Sequence, residues 1–280
     1  MVRIIAALVG LGFAFALLLG VGGTVMGMIN DPAPETAEHA FYKHPKEVKF
    51  PHDGPAGKFD RAQLQRGFQV YKEVCAACHS INLVAFRDLA QLGYTEAEVK
   101  AIASQWATQV PDVNQETGEA ATRPATAVDR FPLTYPNDVA ARAANNNAIP
   151  PDLSLMAKAR HEGPAYIYSL LTGYEPQQPA ELVKKFPGAV TPQGLYYNPY
   201  FPNLNIAMPP PLVEGSVTYS DGTKATVGQM AKDVSAFLMW TAEPNLESRH
   251  RTGWAALAFL LIFSVLTYGA YRNIWKGMKE

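Results

Sequence analysis

The chain has 280 residues, 48% hydrophobic and 18% charged, with a formal net charge of -1. That length and balance suit one compact domain with additional segments, and a near-neutral chain without a basic stripe excludes nucleic acid as an expected partner. The first element is an uncharged run, 4-IIAALVGLGFAFALLLGVGGTVMGMI-29, behind Arg3. Residues 1–30 therefore read as a signal sequence or a retained membrane helix: the apolar core is longer than a usual signal core, and no clean Ala-x-Ala site precedes 30-NDPAPETAEHA-40. Either alternative directs the downstream chain out of the cytoplasm. Residues 31–58, rich in Pro, His and charge, read as a surface-hugging linker carrying His39, His44 and His52 as surface residues.

Asp60 is the expected N-cap of the next helix, in which Leu64, Phe68 and Tyr71 recur at helical spacing. Gly67 on that helix costs about 1 kcal/mol relative to alanine, so a second helix is expected to approach closely there. The helix runs into 74-VCAACHS-80, which holds both cysteines of the chain and a histidine directly after the second. A thioredoxin-type dithiol should open a helix rather than follow one, and a structural zinc site is left one ligand short beyond Cys75, Cys78 and His79. Cys-x-x-Cys-His is also the attachment sequence for haem c, in which each thiol adds to a vinyl group and the histidine becomes the proximal axial ligand. Haem c is the reading that the motif favours. It spends both thiols, so no structural disulfide is expected.

Beyond the motif, 95-TEAEVKAIASQW-106 predicts a helix with Thr95 and Glu98 in capping-box positions and Val99, Ile102 and Trp106 facing inward. Residues 107–136 read as a loop-rich excursion. Over 137–174 the pattern predicts a short helix, a turn at Pro150–Pro151, a helix capped near Asp152 or Ser154, and another over Pro164–Leu171. Residues 175–211 show no sustained period and read as chain wrapped around something. A hairpin is expected around 216-SVTYSDGTKAT-226, then a last soluble helix over 227-VGQMAKDVSAFLMWTAEP-244. Near the end, 253-GWAALAFLLIFSVLTYGAY-271 is long and apolar enough to cross a bilayer, with Trp254, Tyr268 and Tyr271 at interfacial positions. Arg3 at one end and Arg272, Lys276 and Lys279 at the other assign both ends to the cytoplasm, although Arg249 and Arg251 lie on the opposite side.

A haem bonded through His79 needs a sixth ligand if it is to transfer electrons, and a Met thioether there raises the reduction potential. Met1, Met26, Met28 and Met278 fall in or beside the apolar ends, while Met156, Met230 and Met239 fall on helices, where Met is ordinarily core filler. Met208 remains, in 204-LNIAMPPPL-212, where three prolines stiffen the chain. His161 is the rival ligand, and His250 lies beside the membrane segment. Arg160, Arg142, Tyr166 and Asn145 occur where propionate partners are wanted, although each also reads as solvated surface.

The ordered set GFQVYKEVCAACHS, YPNDVAARAANNNAIPPDLS, KARHEGPAYIYSLLTGY, GLYYNPYFPNLNIAMPPPL and TKATVGQMAKDVSAFLMWTAEP resembles the cytochrome c1 family, the haem-c subunit of ubiquinol:cytochrome c oxidoreductase, the cytochrome bc1 complex. The resemblance implies a mainly α, class I c-type cytochrome-like domain with long loops and a small β-hairpin over 59–248, a transmembrane anchor over 249–272 and a cytoplasmic tail over 273–280. It implies thioethers at Cys75 and Cys78, iron ligation by His79 and Met208, propionate contacts from Arg160 and Tyr166, and pocket-lining roles for Asn145 and Pro151. Gly67 and Tyr71 would face Phe237 and Leu238 at the helix crossing. No residue is expected to do acid–base or nucleophilic work. The implied electron donor is the Rieske iron–sulfur protein, the acceptor a cytochrome c, and the membrane partner cytochrome b, in a dimeric complex. The expected location is the cell membrane, with the haem domain on the periplasmic side. No Arg- and Ser-rich transit peptide is evident, which argues for a bacterial source. The alternatives are a haem subunit of another respiratory complex, such as a terminal oxidase, or a haem sensor.

Overall fold

The structure is a computed structural model describing residues 2–32 and 34–277. Met1, Met278 and Lys279 lie outside the described residues, so the roles their sequence positions suggest are not addressed by it. The chain opens with α1 (Val2–Asn30), a long helix with no buried residue, and α2 (Ala37–Phe41), capped by the Thr36 hydroxyl. Both α1 and the final helix α10 (Leu246–Trp275) are long and apolar enough to span a membrane, and neither spanning stretch is buried in the protein. Between them lies a largely helical domain with few strands.

Its frame is α3 (Arg61–Val70) crossing α9 (Val227–Ala242). Asp60 caps α3 as expected, its carboxylate accepting from the amides of Ala62 and Gln63, and Thr226 caps α9 through Gln229. The crossing is close because Gly67 has no side chain: a Cβ there would stand 2.1 Å from the Asp233 carbonyl oxygen and 2.7 Å from Phe237 Cβ. The two Phe residues flanking this contact, Phe68 and Phe237, have ring centroids 5.6 Å apart, and Tyr71 lies 5.7 Å from Phe237. Asp233, fully buried at the crossing, is paired with Arg66 at 3.0 Å and accepts from the Gln63 and Gln229 side chains. A buried carboxylate is tolerated only when its lone pairs are filled this way.

Around this frame α4 (Glu96–Ser104) starts with the expected capping box between Thr95 and Glu98, and Val99 is buried. Trp106 follows the helix and packs on Phe68, Phe86 and Phe131. The excursion over 107–136 is not all loop. It contains an antiparallel hairpin of β1 (Val110–Val113) and β2 (Ala120–Arg123). Its alternation is too short to read in sequence, and Gly118 at positive φ completes the turn. Asp129 locks the return path: its carboxylate accepts from both terminal nitrogens of Arg123, at 2.7 and 2.8 Å, and from the Thr126 amide and hydroxyl. Those donors, Arg123 first, hold the Asp129 pKa well below the usual carboxylate range. A depressed folded-state pKa gives stability that is complete above the unfolded value of about 4 and is lost as pH falls through the folded value. Acid below about pH 4 should therefore loosen 107–130 before the frame. Amide exchange measured across that range should show early opening in the native protein, and D129N should open the segment at neutral pH as well.

Helices α5 (Asp138–Ala144), α6 (Met156–Ala159) and α7 (Gly163–Leu171) follow. The helix expected directly after Pro151 is a single turn. Asp152 and Ser154 do not cap it; they bond instead to residues after the Cys-x-x-Cys-His motif. Residues 175–211 form elements of their own: α8 (Ala180–Lys185) and a strand pair, β3 (Tyr196–Tyr197) with β4 (Asn205–Ile206). They enclose a second small core of Leu182, Tyr197 and Leu204 against Ala37 of α2. The hairpin expected over 216–226 is absent. Asp221–Gly222 does turn the chain, and the Gly215 amide bonds across to the Ala225 carbonyl, but no strands form: Tyr219 is drawn into the core and Asp221 binds Arg66. His52 is also no surface residue: only 4% exposed, it stacks on Phe50 and lies against Phe59, and burial pulls its pKa down.

Candidate functional site

After α3 the backbone widens into a π-helical turn over Tyr71–Cys75, and the Cys78 and His79 amides both return to the Cys75 carbonyl. This coil presents two thiols and an imidazole on one short arc. The thiols are free, with no bond between them. Burial, and next the neighbouring Cys78, push the Cys75 thiol up to about 12. A redox dithiol wants the reverse, a thiolate stabilised near neutrality, so the covered Cys75 thiol counts against that reading. Among the described residues no group of three or more His, Cys, Asp or Glu side chains is placed to hold a metal ion.

The arc is held from two sides. The Tyr71 hydroxyl donates to the His79 carbonyl at 2.9 Å, and burial raises the Tyr71 pKa, keeping the hydroxyl a donor. The Thr134 hydroxyl donates to the Ala76 carbonyl. From the other side, the segment after Pro150 runs alongside the residues after His79. Leu153 donates to the Ser80 carbonyl, Asp152 accepts from the Asn82 amide at 2.8 Å, and Ser154 accepts from the Leu83 amide. That alignment brings the Pro151 carbonyl 2.8 Å from His79 Nδ1. The carbonyl can only accept, so Nδ1 carries the proton and Nε2 keeps its lone pair, with no protein partner among the described residues. Burial also lowers the His79 pKa, which favours the neutral imidazole that a metal ion requires.

Pro151 and His79 are thus brought together directly. Arg160 and Tyr166 are also neighbours: burial raises the Tyr166 pKa while the Arg160 guanidinium pulls it back. Tyr166 in turn lies near Tyr174, whose hydroxyl donates to the Met208 carbonyl at 3.1 Å. Arg160, Tyr166, Tyr174 and Met208 therefore form a connected series, with Met208 half-buried just past β4. Asn145 stands apart: its side-chain amide donates to Ala141 within its own helix, and it ends α5 as the C-cap. His161, the rival ligand, is exposed on the turn before α7.

Tyr174 was not singled out in the sequence, and Asp152 and Ser154 were read there only as helix caps. Asp-x-Ser directly after Pro-Pro is a recognisable side-chain turn signal, and the structure uses it to hold the segment that carries the histidine's partner. Tyr174 carried no such signal, because its partner is a backbone atom 34 positions away.

Two reduced thiols, an imidazole oriented through Nδ1 with Nε2 free, and a thioether on a stiff segment match the donor set of covalent haem. The comparisons with known proteins agree. The chain is 44% identical over 272 residues to "Cytochrome b/c1" of Bradyrhizobium diazoefficiens, covering 92% of this chain and 39% of that longer protein. It is 44% identical over 265 residues to "Cytochrome c1 1, heme protein, mitochondrial" of Arabidopsis thaliana, covering 94% and 82% respectively. It is 45% identical over 248 residues to "Cytochrome b-c1 complex catalytic subunit, mitochondrial" of Candida albicans, covering 89% and 82%. The model of the "Cytochrome C1 family" matches residues 50–278, from the end of the linker through the membrane helix, and the chain belongs to that family.

Proposed function

We propose that this chain is the electron-transfer subunit of a membrane-bound quinol:cytochrome c reductase, taking an electron from a Rieske iron–sulfur protein and passing it to a cytochrome c. The observation that carries this reading is the 2.8 Å contact between His79 Nδ1 and the Pro151 carbonyl, beside two unpaired thiols. When bound, one haem c supplies the one-electron iron couple. Cys75 and Cys78 would hold it as thioethers, and His79 through Nε2 and Met208 through its sulfur would be the residues that ligate its iron. Arg160 and Tyr166 are the propionate partners, and Pro151 and Asn145 line the pocket. The chain's own work is positional: fixing the imidazole tautomer, holding Met208 through Tyr174, and excluding water with the aromatic core behind Tyr71.

Helix α10 anchors the chain beside cytochrome b in a dimeric complex, and α1 is a second membrane helix or a signal sequence. Arg272 and Lys276 near the end of α10 assign that end to the cytoplasm, which puts the haem domain on the periplasmic side of the cell membrane. The names of the relatives, which include a cytochrome b/c1 and a cytochrome b-c1 complex subunit, support a place in such a complex. The direct test is the intact mass of the purified chain under denaturing conditions. The expected result is polypeptide plus one haem, retained through acid–acetone extraction; an unmodified mass would overturn the reading.

A further inference from the structure

The two arginines on the unexpected side of the membrane helix, Arg249 and Arg251, have different fates. Arg249 is spent on Glu243 at the end of α9. Arg251 is exposed and, among the described residues, has no carboxylate within ion-pair distance. Neither has Lys58, the last residue of the linker, which is also exposed. Both line one groove of about 550 Å³, walled by Pro55–Lys58 on one side and the first turns of α10 on the other.

The groove is built rather than incidental. The Trp254 indole donates to the Pro55 carbonyl at 3.0 Å, His250 Nδ1 lies 3.3 Å from the Gly57 carbonyl, and Glu247 accepts from the Phe59 amide and pairs with Arg61. These contacts tie the linker to the helix and fix the spacing of the two free cations. Below them the same helix face continues as Trp254, Leu257 and Leu261, each more than half exposed. From top to bottom the surface is cationic, then an interfacial aromatic, then apolar, which is the order of polarity through one leaflet of a bilayer.

We infer that this groove binds the phosphodiester headgroup of an anionic phospholipid, with Lys58 and Arg251 on the phosphate and the acyl chains lying along α10 below Trp254. A basic residue facing lipid phosphate also explains why the positive-inside pattern is broken at this end of the helix. The volume lies within the range of small-molecule sites. The inference rests on the reading that α10 spans a membrane.

The test is native mass spectrometry of the full, haem-bearing chain released from detergent micelles doped with phosphatidylglycerol or phosphatidylcholine. Native protein should retain phosphatidylglycerol over phosphatidylcholine by about thirtyfold, the size expected of two juxtamembrane cations. K58Q/R251Q should bring that ratio to near one, while K100Q, on α4 and away from the groove, should leave it unchanged. Equal preference in native protein and the double variant would overturn the proposal. So would loss of the bound lipid to millimolar inorganic phosphate, which would mark a general anion site. Release of the chain from membranes by alkaline carbonate would instead overturn the spanning reading, so the two failures are distinguishable.

Discussion

Replacing Gly67 by alanine is expected to destabilise the domain by about 3 kcal/mol, although helix propensity alone predicts a gain of about 1 kcal/mol for the same change. The sign is decided by what the new methyl group meets. Its carbon would lie 2.1 Å from the Asp233 carbonyl oxygen and 2.7 Å from the carbonyl carbon, both backbone atoms of α9. No rotamer change relieves such a clash, so α9 must move as a body. Moving it pulls Phe237 from Phe68 and Tyr71, and shifts the fully buried Asp233 away from Arg66 and the two glutamines that satisfy it. Gly228, on the same helix, is the control: a Cβ there meets only the Tyr168 hydroxyl, at 3.6 Å, so alanine is accommodated. Thermal unfolding in detergent should show G67A melting roughly 10 °C lower and G228A unchanged or higher. A G67A protein as stable as the native one would mean that the crossing is looser than the structure shows.

The elements that were legible in the sequence are those whose signals are local. Asp60, the Thr95–Glu98 box and the 3.6-residue apolar spacing of α3 and α9 each act within one or two turns, and each stands where it was expected. Gly67 was legible for a different reason: a costly residue mid-helix implies a neighbour, and the neighbour is α9. The misreadings share one cause, which is that long-range partners override short patterns. The turn at Asp221–Gly222 looked like a hairpin, but Asp221 is claimed by Arg66, 155 positions away. His52 sits among polar residues in sequence, yet Phe50 and Phe59 fold over it. Strands β3 and β4 have two residues each, too few for any alternation to register. Within the site, the Cys-x-x-Cys-His arc was legible because its two cysteines and histidine are adjacent in sequence, so their spacing can be read directly. Pro151 was expected, through family resemblance, only as a pocket-lining residue; that its carbonyl sets the His79 tautomer was not expected, since a backbone acceptor leaves no mark on residue type.

The other large effect is expected at Met208. Leucine there keeps the volume and removes the sulfur, so M208L should lower the reduction potential by on the order of a few tenths of a volt, within the range that axial ligands command. Attachment should survive, because Cys75, Cys78 and the Pro151-oriented His79 are untouched. The reduced variant should also bind carbon monoxide, which the native protein should resist. The segment carrying Met208 is restrained on three counts: three prolines follow it, the β3–β4 pair precedes it, and buried Leu204 is held at a φ of 61°, a region few non-glycine residues occupy. Tyr174 adds a fourth restraint through its bond to the Met208 carbonyl, and burial keeps its pKa well above the ordinary value, so the hydroxyl remains a donor at any working pH. Y174F should therefore keep the sulfur ligand but loosen it, giving a smaller drop in potential and partial carbon monoxide binding. Redox titration of the two variants separates the ligand from its support. An unchanged potential in M208L would remove Met208 from the ligand set, and a Y174F potential equal to native would leave the prolines and the strand pair sufficient to hold it.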